Sequence, residues 1–227
     1  MWFEPPQSLS LPNGEAHVWR TPLEQSPERV GEFLRTLDEE EHARASRFHF
    51  DKHRRHFVVA RGVLRLLLGR YLETRPEDVN FNYGSHGKPA LGGDHRASLL
   101  RFNASHSGEL AVYAFVQECE VGIDVEYIKS DFATEEIAER FFSSREIETL
   151  TALPKADRAA EFFRLWTRKE AYIKAIGTGL SHPLNEFDVT VPIQGWSVVD
   201  LEVESKYAAA FAVNGPVREL QKFHFNP

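Results

Sequence analysis

Apolar residues recur along this chain with two different periods. From Leu110 through Val116 they run almost unbroken, and in Val121-Gly122-Ile123-Asp124-Val125-Glu126 they alternate with acidic residues, so both segments read as strands. Phe81 to Tyr83 adds a short strand, and Phe187 to Val191, Trp196 to Val203 and Tyr207 to Val213 are expected to close the chain as strands. Helical signals separate these runs. Ser26-Pro27-Glu28 opens a helix with a cap and a first-turn proline, and Asp51 is the expected cap of a long helix running through Leu66 toward Tyr71. Ser143-Ser144-Arg145-Glu146 forms a capping box for a helix toward Leu150, which Pro154 ends. A last long helix spans about Asp157 to Ile176 and stops at the glycine cap Gly177-Thr178-Gly179.

The two halves are patterned alike. Each carries a long helix with basic residues followed by an apolar strand, Leu110 to Val116 in one half and Ala208 to Val213 in the other, as an old duplication would leave them. No short repeat or low-complexity tract interrupts this order.

Charge is concentrated where apolar residues are densest. Within Trp166-Thr167-Arg168-Lys169-Glu170-Ala171-Tyr172-Ile173-Lys174-Ala175, Glu170 and Lys174 stand one helical turn apart, a pair that in isolation is an ordinary salt bridge of about 0.3–0.5 kcal/mol. Strand alternation places Asp124 and Glu126 on one face, which alone describes a solvated surface strand. Carboxylates that close stay ionised only beside a cation, or one of them takes up a proton. With no His or Cys beside them the ligand set is all oxygen, which favours magnesium or manganese over zinc, with Glu170 as a third ligand. Upstream, Arg101-Phe102-Asn103-Ala104-Ser105-His106-Ser107-Gly108 reads as a polar turn whose hydroxyls, imidazole and backbone N–H groups suit an anion. Tyr83-Gly84-Ser85-His86-Gly87-Lys88-Pro89 is a second turn, carrying a single Lys.

Composition narrows the class. A chain of 227 residues, 42% of them hydrophobic, can bury one sizeable core or two small ones. The lone Cys119 excludes an internal disulfide framework, and with no basic, apolar leader and no run of about 20 apolar residues a cytoplasmic protein without a membrane span is expected. A net charge of −7 argues against nucleic acid as the main partner.

In order and spacing, Gly87-Lys88-Pro89, Phe102-Asn103-Ala104-Ser105-His106-Ser107, Gly122-Ile123-Asp124-Val125-Glu126 and Trp166-Thr167-Arg168-Lys169-Glu170-Ala171 resemble the motifs of the Sfp-type 4′-phosphopantetheinyl transferases. The resemblance spans most of the chain. It implies a magnesium-dependent enzyme that moves the phosphopantetheine arm of coenzyme A onto a serine of an apo acyl or peptidyl carrier protein, releasing adenosine 3′,5′-bisphosphate. It implies an α+β fold of two similar α/β lobes with coenzyme A in the cleft between them. Residues 1–118 would hold the 3′-phosphate and adenine side, and residues 119–227 the metal-binding carboxylates and the carrier docking surface. Asp124, Glu126 and Glu170 would bind the metal with the pyrophosphate, and Lys174 would lie near the bridging or alpha phosphate. Ser105 and His106 would hold phosphate oxygens, His106 those of the 3′-phosphate, and Lys88 would sit against the adenine end. A family Lys near Glu41 is replaced here by that acid, so Arg44 and Arg55 are the candidates for the 3′-phosphate among the basic residues Arg44, Arg47, Lys52, Arg54, Arg55, Arg61 and Arg65.

Glu170 is the candidate general base for the carrier serine and Lys174 the stabiliser of the departing phosphate. Carrier docking is expected on Tyr127-Ile128-Lys129-Ser130-Asp131-Phe132 and around Phe141, Phe142 and Ile147, unless those aromatics are core. Two fused halves favour a monomer. The alternatives are a magnesium-dependent nucleotide or pyrophosphate hydrolase and a non-catalytic module that binds coenzyme A or a carrier protein. Fatty-acid, polyketide and nonribosomal-peptide carriers are equally compatible with the sequence.

Overall fold

The two long amphipathic segments become helices of equal length, and each anchors one lobe of an α+β fold. The computed structural model of the chain describes residues 1–130, 134–215 and 217–226. In chain order the elements are β1 (Glu15–Pro22), α1 (Pro27–Leu34), α2 (Glu39–Ser46), α3 (Asp51–Leu72), β2 (Phe81–Tyr83), β3 (Pro89–Leu91), β4 (Leu100–Ser107) and β5 (Leu110–Gln117). They continue with β6 (Val121–Tyr127), α4 (Thr134–Phe141), α5 (Ser144–Thr151), α6 (Lys155–Ile176), β7 (Trp196–Asp200), β8 (Tyr207–Asn214) and β9 (Glu219–His224). In the first lobe β5 lies between β1 and β4, and in the second β8 lies between β6 and β7, all four pairings antiparallel. Both lobes therefore follow one plan, strand, long helix, then a hairpin whose second strand returns to the first. β9 pairs parallel with β1, so the end of the chain completes the first lobe's sheet.

Alternation along the strands sorts the core into layers. Trp19, Ala111, Tyr113 and Phe115 face α3, while Ala16, Val18, Val112 and Ala114 face the other way, onto Val121, Ile123, Val125 and Phe211 of the second sheet. The order is helix, sheet, sheet, helix. Gly122, Asp124 and Glu126, out of phase with Ile123 and Val125, share the face of Ala210 and Ala212 that packs against Ala171 and Ala175 of α6. Gly122 sets the separation there: a Cβ on it would meet the Ala171 carbonyl oxygen at 2.0 Å and the Ala175 nitrogen at 2.5 Å. α6 lies tightly on β6 because that position has no side chain.

A buried knot recurs in each lobe. Arg65, the fifteenth residue of α3, is fully buried, pairs with Glu41 and Asp38, and donates to the carbonyls of Pro76 and Val79. Lys169, the fifteenth residue of α6, is equally buried, pairs with Glu146 at 2.8 Å and donates to the carbonyls of Leu184 and Phe187, both at 2.7 Å. Glu41 and Glu146 each occupy the third position of a capping-box helix, capped by Asp38 and Ser143. Each knot thus ties a short helix, a long helix and the turn that follows it.

Several expected elements are corrected. Asp51 is the first residue of α3 rather than its cap, and its carboxylate pairs with Arg54 and Arg55. Phe187 to Val191 is not a strand: the Phe187 carbonyl and the Val189 N–H are taken up by Lys169 and Glu146 instead of a ladder. The polar run from Arg101 is strand β4 as far as Ser107, with only Gly108 turning, so its backbone groups serve β5. Among the described residues no helix is long and apolar enough to cross a membrane.

Candidate active site

β6 is an edge strand, and its free edge is met by β4 through side chains instead of a backbone ladder. Asn103 Oδ1 accepts from the Ile123 N–H at 2.9 Å, and Ser107 Oγ accepts from the Tyr127 N–H at 3.1 Å. Between these rungs the hydroxyls reach the carboxylates: Ser105 donates to Asp124 Oδ1 and Ser107 to Glu126 Oε2, both at 2.7 Å. The alternation Asn103, Ser105, Ser107 puts all three on one face of β4, so a polar seam joins the lobes where the acidic residues emerge.

α6 closes the site from the other side. Lys174 directs its ammonium at Asp124 Oδ1 (2.6 Å) and Ser105 Oγ (3.1 Å), so it serves the neighbouring strand and not the helix pair with Glu170. Asp124 is 2% exposed, and its second oxygen, Oδ2, is buried with no hydrogen-bond partner. Burial, then the charge of Asp124, and in smaller measure that of Glu126, push the Glu170 carboxyl up to about 7, against the opposing pull of Lys174. Burial, and after it Asp124, also raise Glu126, partly offset by the Ser107 hydroxyl. Burial alone would lower the Lys174 ammonium, but Asp124, Glu170 and Glu126 together raise it. The three carboxylates therefore occupy one electrostatic field.

An orphaned carboxylate oxygen, two neighbouring acids raised by burial and then by mutual repulsion, and an all-oxygen donor set fit a hard divalent cation. Among the described residues no three His, Cys, Asp or Glu side chains are already drawn into a coordination cluster, and Lys174 supplies the positive charge that Asp124 faces.

The remaining candidates divide. His106 projects from the opposite face of β4; desolvation first, then the charges of Lys174, His56 and Arg44, lower its pKa. Arg44 is thus close enough for its charge to act on the imidazole, and its guanidinium lies over the Phe57 ring at 5.1 Å. Arg55 stays with Asp51, and Lys52 with Glu109 and Glu24. Glu41, which stands where the family resemblance expects Lys, is consumed by Arg61 and Arg65. Lys88 reaches across to the second lobe and lines two cavities, of about 430 and 220 Å³, the smaller of which also touches Lys174. A third cavity of about 190 Å³ opens beside Glu126, walled by Tyr127, Lys129, Ile137 and Trp166.

The expected docking surface is narrower than its composition implied. Phe142 is core, and Phe141 packs edge-on against Trp166 with centroids 5.7 Å apart, which leaves Tyr127 as the exposed aromatic among the described residues of this region. Asp131 and Phe132 lie outside the described residues. Sequence reasoning missed Asn103 and Ser107 as members of the site; the period-two polar pattern of residues 103, 105 and 107 was the signal for them.

Comparison with known proteins converges on one family. A model described as 4′-phosphopantetheinyl transferase, N-terminal, matches residues 21–118, and one described as the 4′-phosphopantetheinyl transferase superfamily matches residues 120–215. The chain is 42% identical over 223 residues to the 4′-phosphopantetheinyl transferase HetI of Nostoc sp., covering 94% of each protein. It is 32% identical over 176 residues to the 4′-phosphopantetheinyl transferase Sfp of Bacillus subtilis, covering 78% of this chain and 76% of that one.

Proposed function

The chain belongs to the 4′-phosphopantetheinyl transferase superfamily and is an enzyme of that kind, and on that premise we propose that it uses coenzyme A to modify a serine of an apo acyl or peptidyl carrier protein. The serine oxygen attacks the phosphorus that carries the pantetheine arm. The bond from that phosphorus to the bridging pyrophosphate oxygen breaks, and adenosine 3′,5′-bisphosphate leaves with the electron pair. Glu170 is the candidate base that takes the serine proton; without a cation, burial and then Asp124 hold its carboxyl up to about 7. Lys174 places its charge beside the leaving oxygen, where negative charge develops.

Asp124, Glu126 and Glu170 are the residues that would hold magnesium, or manganese in its place. When bound, the ion supplies Lewis-acid neutralisation of the pyrophosphate. Ser105 and Ser107 orient the first two carboxylates, while His106 and Arg44 receive the 3′-phosphate, with Arg55 the more distant candidate. Adenine lies on the Lys88 side, and the cavity beside Glu126 takes the pantetheine arm as the carrier docks near Tyr127. On this reading residues 1–118 serve the nucleotide and residues 119–227 the cation and the carrier, with β9 returning to the first sheet. The enzyme acts as a monomer, because one chain supplies both walls of the cleft.

The observation that carries this reading is the buried, partnerless Oδ2 of Asp124, whose other oxygen pairs with Lys174, in the charge field shared with Glu126 and Glu170. Mass spectrometry of a panel of apo carrier proteins incubated with the chain, coenzyme A and magnesium tests it. A mass gain of one phosphopantetheine group on the carrier serine is expected; coenzyme A cleaved with the carrier unchanged would establish hydrolysis instead.

A further inference from the structure

Lys88 projects from the turn before β3 in the first lobe, yet its ammonium is spent on the second. It donates to the Ala175 carbonyl at 2.9 Å and to the Val121 carbonyl at 3.1 Å, with the exposed Glu120 carboxylate at 3.4 Å. Ala175 lies in the last turn of α6, two residues before the left-handed cap Gly177 (φ 74°), where helix carbonyls have no partner within the helix. A cation there satisfies an orphan acceptor and lies at the negative end of the helix dipole. Val121 opens β6, three residues before Asp124, and Ala175 follows Lys174 directly. One ammonium therefore joins the strand that carries Asp124 to the helix that carries Glu170 and Lys174. The stem passes Gly177, whose added Cβ would stand 3.8 Å from Lys88 Cδ, and it separates the two cavities that both touch it. Burial lowers the Lys88 pKa, partly countered by Glu120, in keeping with an ammonium withdrawn from water.

We propose that Lys88 is a positioning residue: an interlobe cap on α6 that fixes the spacing of Asp124 from Glu170 and Lys174. This inference rests on the transferase reading for its kinetic consequence but not for its structural one. A cation held by two carbonyls has little charge to offer a nucleotide, so its loss should alter turnover more than coenzyme A affinity.

Two variants of the full chain test this, Lys88→Met, which keeps the stem, and Lys88→Arg, which can still donate to both carbonyls. In unliganded protein, hydrogen–deuterium exchange across residues 173–179 and 121–124 should accelerate about tenfold in Lys88→Met, with α3 unchanged. In transfer assays kcat should fall at least about tenfold while KM for coenzyme A stays within about threefold, and Lys88→Arg should recover most of both. Unchanged exchange in Lys88→Met overturns the clasp whatever the kinetics show. Faster exchange with kcat intact and KM raised about tenfold overturns the positioning role in favour of direct nucleotide contact. A wild-type chain that transfers nothing would refute the transferase reading, and the exchange comparison would still decide the clasp.

Discussion

Matched positions of the two lobes hold opposite chemistry. The sixteenth residue of the long helix is Leu66 in α3 and Glu170 in α6. Trp19 faces the fourth residue of β5, and Asp124 the fourth of β8; two residues to either side on the same face, Thr21 corresponds to Glu126 and His17 to Gly122. Above these strands Arg70 lies over the Trp19 ring at 5.8 Å, whereas its counterpart Lys174 binds the Asp124 carboxylate. Even the spacing differs: His17 meets Tyr71 through their side chains, while Gly122 meets Ala175 with almost none between them. The same plan is filled with rings in one lobe, and drawn tight around acids in the other. A plan repeated in this way can be filled as apolar support in one lobe and loaded with buried charge in the other.

The comparison is sharpest where the lobes agree. Both knots bury a cation against a glutamate, and removing one partner leaves an unpaired buried charge. Arg65→Met and Lys169→Met should each lower the urea-unfolding free energy by about 3–5 kcal/mol. Equal losses would support a shared architectural role, and a loss confined to one lobe would break the correspondence.

A smaller effect separates the lobes. The Trp19 indole donates to the Tyr71 hydroxyl at 2.9 Å, and that hydroxyl also shares a hydrogen bond with His17 Nδ1 at 2.7 Å, while Nε2 is buried without a hydrogen-bond partner, the Glu15 carboxylate standing 4.0 Å away. Burial lowers the His17 pKa from 6.5 to about 4. Between those values the unfolded chain binds the extra proton and the folded one does not, so stability is complete above 6.5 and declines as pH falls toward about 4, by roughly 3 kcal/mol. Urea unfolding across that range should show the decline, and His17→Gln should flatten it. A slope that survives the substitution would assign it to other groups.

Much of this was legible in the residues. Period placed the two long helices and strands β2, β5, β6 and β8, and cap residues placed the glycine end of α6 and the Ser143 capping box, because each rests on local spacing. β1, β4 and β9 were not legible as strands, since Asn103, Ser105 and Ser107 resemble turn formers until β6 supplies their partners, and β9 is defined by its parallel pairing with β1, about 200 residues away. The acids and Lys174 were visible in the motifs. Lys174 looked like the mate of Glu170, and only the approach of α6 over Gly122 turns it toward Asp124. Lys88 likewise reads as a lone turn cation until the second lobe's carbonyls come within its reach.

On the proposed reading the second lobe's carboxylates would hold a hard cation beside the coenzyme, and calorimetric titration of manganese into the chain in the presence of coenzyme A measures whether they do. One ion per wild-type chain is expected, and none at the same concentrations for Asp124→Asn, with the fold intact by circular dichroism. Equal binding by both proteins, or none by the wild type, would contradict it.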